Sequence, residues 1–247
     1  MLRGNTALTT LKLYDNHIGD AAGAQALAEA LRENATLTYL GLYGNGIGEV
    51  GAKALAEALH DNATMTELKL EKNGIGDAGT QALAGARSAN ATLTTLELSG
   101  NGIGVAGSQA LAGALRDNAT LTELKLEKNG IGEAGAQALA GALRENATLT
   151  TLGLGFNGIG EFVRSFIGEA GAQALAGALR ENTTLTTLEL EGCNMDNAGA
   201  QALAGMLRDN SILTTLFLSS TDHIGEAGRQ ALQAVGPLRA RRYQQPH

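Results

Sequence analysis

The chain has 247 residues, with 18 Lys+Arg against 25 Asp+Glu and a formal charge of −7. That balance argues against a phosphate-neutralising nucleic-acid face, the lone Cys193 excludes an internal disulfide framework, and no apolar run reaches the ~18–20 residues of a membrane span. With 34 Gly, 2 Pro, no Trp, four Phe and four Tyr, the composition is short of the aromatics that a globular enzyme of this size spends on its core.

The N-terminal Met1 to Thr6 holds no apolar signal region. Leu2-Arg3-Gly4-Asn5 already resembles the later run Leu143-Arg144-Glu145-Asn146, so the chain starts inside a repeated unit. Leu11 then begins a series that recurs at Leu40, Leu68, Leu96, Leu124, Leu152, Leu188 and Leu216. The interval is 28 residues in five of the seven cases. It is 29 after Leu11, where Asp20 to Gly23 carries one extra residue, and 36 after Leu152, where eight residues are inserted near Phe162. Eight units fill residues 1–235, which leaves no room for a second domain; 236–247 is a short basic tail after Gly236-Pro237.

The fifth unit shows the local grammar. Leu121-x-x-Leu124-x-Leu126 alternates with period 2 and predicts a short strand. Ala138, Leu139, Ala142 and Leu143 form one face of a helix. Ile131-Gly132-Glu133-Ala134-Gly135 turns the chain between them, and Asn146 is expected to end the helix in the left-handed conformation. A strand–helix–strand unit this short forces parallel strands. One unit buries too little apolar surface to offset its ordering entropy, so neighbours must share cores and the array is a solenoid. Parallel strands lie ~4.8 Å apart and packed helices ~8–10 Å apart. The helices therefore take the convex side and the sheet the concave side, with a bend of about 20° per repeat.

The pattern Leu121-x-x-Leu124-x-Leu126-x-x-Asn129-x-Ile131-Gly132, followed by Gly135-Ala136-x-Ala138-Leu139-Ala140-x-Ala142-Leu143, resembles a leucine-rich repeat of the ribonuclease-inhibitor-like subfamily. Ribonuclease inhibitor, the Ran GTPase-activating proteins and the repeat domains of NOD-like receptors belong to that subfamily. The resemblance covers about 230 residues and implies an α/β right-handed solenoid of eight repeats, bent as a horseshoe arc. It implies a protein-binding module without catalysis, and the ladder asparagines (Asn16, Asn45, Asn73, Asn101, Asn129, Asn157) as hydrogen-bonding groups. Cys193 takes that slot in the seventh repeat and reads as a buried structural thiol. An alternative reading is a GTPase-activating accessory protein similar to the Ran activators, although many of those carry an acidic tail where this chain has Arg239, Arg241 and Arg242. Another is a designed or consensus array with no native partner.

Several motifs imitate chemistry. G-x-G-x-x-G occurs as Gly46-Ile47-Gly48-Glu49-Val50-Gly51 and again from Gly74, Gly102 and Gly130, each time between a strand and a helix. A cofactor fingerprint occurs once rather than once per repeat, and Glu49, Asp77 and Glu133 would repel a pyrophosphate there. Glycine for tight turns and close packing is the preferred reading, and no nucleotide cofactor is expected. His17, His60, His223 and His247 are scattered along the solenoid and form neither a metal set nor a Cys-His pair. Six Asn-x-Thr sequons start at Asn34, Asn62, Asn90, Asn118, Asn146 and Asn182; each arises from the repeat, so an intracellular setting is expected, with a secreted bacterial effector as a variant of it.

The informative positions are those where repeats differ. Residues flanking the second and third leucines point off the free concave face. One column reads Lys12, Gly41, Lys69, Glu97, Lys125, Gly153, Glu189, Phe217; the next reads Tyr14, Tyr43, Glu71, Ser99, Glu127, Gly155, Glu191, Ser219. Tyr39 shares the face, and Phe156 lies beside it. Aromatics that a core does not need, on a concave sheet, have the composition of an interface. The candidate partner-binding set is therefore Tyr14, Tyr39, Tyr43, Lys12, Lys69, Glu71, Glu97, Lys125, Glu127, Phe156, Glu189 and Phe217, densest at the tyrosines. The Glu/Lys columns read as cross-strand pairs on a solvated face. Phe162 and Phe166 in the insertion (161–168) are either tucked down or offered to a partner. Arg87 occupies a helix slot that is Leu115 and Leu143 elsewhere, and is expected to snorkel. Neither end shows a capping unit, so self-association through the ends is expected.

Overall fold

In the computed structural model, residues 2–19, 21–87, 90–157, 167–218 and 223–235 are described. The Phe162–Phe166 insertion, the 236–247 tail and the side chain of Arg87 lie outside that set. Strand and helix alternate through the chain: β1 Thr10–Lys12, α1 Ala21–Glu33, β2 Tyr39–Gly41, α2 Gly48–Asp61, β3 Glu67–Lys69, α3 Gly76–Arg87, β4 Thr95–Glu97 and α4 Val105–Asp117. The second half continues with β5 Glu123–Lys125, α5 Gly132–Glu145, β6 Thr151–Gly153, α6 Gly168–Glu181, β7 Thr187–Glu189, α7 Asn197–Asp209, β8 Thr215–Phe217 and α8 Glu226–Gln233. The strands make one parallel sheet in sequence order. The predicted register holds throughout, from Leu11 opposite Leu40 to Leu188 opposite Leu216. The eight residues inserted after Leu152 leave the β6–β7 register unchanged, with Leu152 opposite Leu188.

Each strand is three residues long, because only the segment around the second leucine stays extended. The third leucine, as in Leu126, leaves the ladder yet remains fully buried. The next turn requires a left-handed residue: Asp15, Gly44, Lys72, Gly100, Lys128, Phe156 and Gly192 all have φ between 51° and 68°. The chain then enters the helix, whose inner face buries Ala136, Leu139, Ala140, Ala142 and Leu143 in α5, with Ala138 at its margin. Helix and sheet thus share one continuous leucine–alanine core along the array, the α/β solenoid with sheet on the concave side and helices on the convex side. No described helix is long and apolar enough to cross a membrane.

Two asparagine ladders run the length of this core. The expected one links successive repeats: the Asn73 N–H donates to Asn101 Oδ1 at 2.9 Å and the Asn101 N–H to Asn129 Oδ1 at 2.8 Å. Cys193 is fully buried in the same slot and donates its thiol to the Leu154 carbonyl at 3.3 Å. The second ladder corrects the expected left-handed helix end. Asn146 is extended, with φ −76° and ψ 128°. Its Nδ2 donates to the Leu115 and Asn118 carbonyls of the preceding repeat, and its Oδ1 accepts from the Thr148 and Leu149 amides. A side chain that satisfies four backbone groups across two repeats outweighs the local left-handed preference. The sequon asparagines are accordingly only 4–6 % exposed, and no glycan could reach their amides.

The first and last repeats differ in how deeply their leucines are buried. Leu8, Leu11, Leu13 and Ile18 of the first repeat are partly buried, whereas Leu213, Leu216, Leu218 and Ile224 of the last are buried almost as fully as inner leucines. Helix glycines divide by environment. A Cβ added at Gly113 meets nothing within 4 Å, while one at Gly135 falls 2.6 Å from Ile131 Cγ2 and 2.9 Å from Ser108 Cβ. Gly113→Ala is therefore expected to raise stability by about 0.5–1 kcal/mol through helix propensity, and Gly135→Ala to lower it. Chemical denaturation of both variants checks this; a loss at Gly113 would contradict its open surroundings.

Candidate functional site

The alternation of the strands buries the second leucine and puts the residues flanking it on the concave surface. Three tyrosines mark the N-terminal part. The Tyr14 and Tyr39 hydroxyls lie 2.5 Å apart. The Tyr14 ring lies over Gly41, whose missing side chain makes room for it. Lys12 and Lys69 place their Nζ atoms 5.5 and 5.8 Å from the centre of the Tyr39 ring. Burial, and then the hydrogen bond with Tyr14, push the Tyr39 phenol well above its ordinary pKa. Tyr43 stands apart from this pair and receives Lys72 at 5.1 Å. The expected tyrosine cluster is thus a bonded pair plus a separate ring.

The middle of the face differs from the expected row of solvated pairs. Lys69, Glu97, Lys125, Glu127 and Glu189 side chains are only 18–26 % exposed. Lys69 Nζ bonds Glu97 at 2.6 Å across neighbouring strands. Lys125 Nζ reaches past β6 to Glu189 at 2.6 Å; Gly153, between them in the sheet, leaves the passage open. Glu127 accepts from Ser99 Oγ at 2.6 Å and lies 3.8 Å from Lys125.

These groups contain two carboxyl pairs, Glu71 with Glu97 and Glu127 with Glu189. Burial, and then the hydrogen bond with Glu97, raise Glu71 to about 7. Glu71 Oε2 is shut off from solvent and has no donor facing it while both carboxyls are ionised; a proton shared with Glu97 supplies one. Burial pushes Glu97 up as well, but its bonds with Glu71 and Lys69 outweigh this and hold it below the ordinary carboxylate range. Glu127 is raised, by burial above all, against the opposing bond from Ser99. Burial lowers Lys69 and Lys125, yet their bonds to Glu97 and Glu189 and the surrounding carboxylates leave both raised on balance.

Glu71 titrates near 4.5 when unfolded and near 7 when folded. The folded chain binds the extra proton between these values, so this group's stabilisation is full below about 4.5 and is lost as pH rises through 7. The shift corresponds to about 3 kcal/mol, reduced by solvent screening of this partly exposed side chain to about 1–2 kcal/mol. Glu71→Gln should therefore be the more stable protein near pH 8 by that amount and equal to wild type near pH 4.5. Thermal melts across this range test it; parallel pH profiles would contradict the shared proton.

Above the Glu71–Glu97 pair and Glu127 the face opens as a groove of about 470 Å³, lined by Tyr43 and Phe156 together with Glu71, Glu97, Ser99 and Glu127. Phe156 is half-buried in the left-handed turn position, φ 58°, a conformation that costs a bulky residue about 1 kcal/mol or more. Lys128 stacks on its ring at 5.8 Å. Phe217 lies on the same face at the far end, opposite Glu189 in register, and does not line the groove. Phe162 and Phe166 are outside the described residues.

The glycine motifs act structurally. Gly46 and Gly48 have φ of 67° and 62°, and Gly51 packs on Ile47 and Ala24. Where a phosphate would sit on α4, Asp77 Oδ1 already accepts from the Gly104 and Gly107 amides at 2.7 and 2.9 Å. Among the described residues no three His, Cys, Asp or Glu side chains converge as a metal set.

A model of the tropomodulin/leiomodin (TMOD/LMOD) leucine-rich domain matches residues 53–164, and a leucine-rich-repeat model matches 4–28, 33–56 and 181–204. Among solved structures, leiomodin-1 actin-binding site 2 is similar at 21% identity and a TM-score of 0.42, over 73% of this chain and 84% of that one. The tropomodulin C-terminal domain of Caenorhabditis elegans is similar at 15% identity and a TM-score of 0.43, over 73% and 88%. No curated protein matches the chain. With a strand and a helix in each of the eight units, a leucine register unbroken from Leu11 to Leu216 and repeat models matching both halves, the chain belongs to the leucine-rich-repeat proteins.

Proposed function

We propose that the chain is a non-catalytic protein-binding module and that its partner docks on the concave sheet face, between the Tyr14–Tyr39 pair and Phe156. The observation that carries this reading is the groove. Large aromatic and charged side chains sit on a face where the leucine core requires none of them, and they enclose a cleft between Tyr43 and Phe156. Aromatic anchors beside partly desolvated charge pairs are the usual carriers of binding energy at protein interfaces. Lys12, Lys69, Lys125, Glu97, Glu127 and Glu189 then set orientation and encounter rate more than affinity. The sequons, buried in a backbone ladder, give no reason to place the chain in a secretory compartment, and an intracellular role is the reading we adopt.

A photo-crosslinking amino acid placed at Ser99, on the groove floor, tests this in extract of the source cells. The expected result is a discrete adduct with one protein, and none when the same probe is placed at Gly113 on the outer face of α4. An adduct only from Gly113 would move the interface to the helices.

A further inference from the structure

The carboxyl groups that line the groove, Glu71, Glu97 and Glu127, with Glu189 paired to the last of them, suggest what the partner brings, given the docking site proposed above. Each pair has one ammonium bonded to it: Lys69 to Glu97 and Lys125 to Glu189. Among the described residues the second carboxyl of each pair accepts no hydrogen bond from an ammonium: Glu127 shares Lys125 in a looser ion pair at 3.8 Å, and Glu71 is in no ion pair. Ser99 gives Glu127 one hydrogen bond, and Glu71 Oε2 has none. We propose that the groove takes an extended protein segment carrying an arginine flanked by apolar residues, and that its guanidinium replaces the proton held in the Glu71–Glu97 pair.

Dimensions and chemistry agree with this occupant. Tyr43 and Phe156 belong to the second and sixth repeats, four strand spacings apart, or roughly 19 Å. That is the reach of about six extended residues. The two rings offer apolar walls, and each already accepts a cation on its face, Lys72 and Lys128. A guanidinium has five donors in a planar fork, so it can bond more than one of the carboxylates that line the groove, Glu71, Glu97 and Glu127, with a geometry one ammonium does not offer. The groups around the exchanged proton are Glu97, Lys69 and Tyr39 on one side and, across the groove, Ser99, Glu127 and Lys125 on the other. The carboxylates among them favour an incoming cation. Lys72 and Lys128 at the rim oppose it, and their engagement with the rings holds them off the floor. Because Glu71 is half protonated near neutrality, docking of the cation expels protons, and affinity rises as pH increases from about 6 to 8.

The test is calorimetric titration of the full chain with acetyl-Leu-Arg-Leu-Arg-Leu-amide and with the same peptide carrying citrulline in place of arginine, in two buffers of different protonation enthalpy. The arginine peptide should bind about ten-fold tighter or more, with a buffer-dependent heat that reports proton release. Glu71→Gln should abolish that release and weaken binding, and its unchanged circular dichroism would show that it still folds. Equal affinity of the two peptides, heats independent of buffer, or tighter binding of a glutamate peptide would overturn the cation. So would binding of neither peptide while the Ser99 probe still captures a partner; failure of the Ser99 probe as well would remove the docking site beneath it.

Discussion

Replacing Asn101 by alanine is expected to lower the unfolding free energy by about 3–5 kcal/mol, a large share of what a domain holds in reserve. Asn101 is 1% exposed. Its Oδ1 accepts from the Asn73 amide at 2.9 Å, and its Nδ2 donates to the Leu70 and Leu98 carbonyls at 2.8 and 2.9 Å. Alanine leaves the Asn73 and Ile75 amides and the Leu70 carbonyl buried without these partners, each costing up to about 1–3 kcal/mol, while the Leu98 carbonyl keeps Asn129 Nδ2 at 3.1 Å. Because repeats contact only their neighbours, the loss should also split the denaturant transition, with the halves on either side of the fourth repeat melting separately. Cys193 poses the converse case. A thiol accepts poorly and does not reproduce the Oδ1 rung, so Cys193→Asn is expected to add about 1 kcal/mol. A midpoint for Asn101→Ala within about 1 kcal/mol of wild type would mean that water reaches the ladder.

The second large effect is on binding. Tyr14→Ala with Tyr43→Ala should cost at least about 2 kcal/mol of partner affinity, roughly thirty-fold, while the melting temperature stays nearly constant. Tyr14 is 40% exposed and rests on Gly41 outside the leucine core, so its removal opens no cavity there. It does release the Tyr39 hydroxyl, which then turns to solvent. Lys69 behaves differently. Its bond to Glu97 is three-quarters withdrawn from water, so a charge swap there should cost stability as well as association rate. Surface plasmon resonance with the crosslinked partner, alongside thermal melts, separates the two; a tyrosine double variant that unfolds would make these rings structural.

The leucine and alanine columns were legible because they answer to one periodicity: which way a side chain points follows from its position in the unit. Strand order, register and the concave face come from that alone. What a side chain reaches does not. Lys125 passes a glycine to meet Glu189 two strands away, and the repeat spacing there is disguised by the insertion. The extended Asn146 could not be told from a left-handed one, because the gain lies in carbonyls of the preceding repeat. The Glu71 proton was hidden for a similar reason: the columns show alternating signs, but only burial and the approach of Glu97 turn a charge pair into a shared proton. Phe156 was legible as a candidate, but its left-handed backbone and its place beside the groove were not, because they depend on the turn it occupies and on the repeats around it.

The concave face as docking surface is tested most directly by hydroxyl-radical footprinting of the chain with and without its bound partner, read by mass spectrometry. Tyr43 and Phe156 should be oxidised in the free chain and protected in the complex, while Val50 and His60 on the helical side, 65% exposed and exposed respectively, keep their rates. Protection of Val50 and His60 with Tyr43 and Phe156 unchanged would place the partner on the convex face and contradict the account.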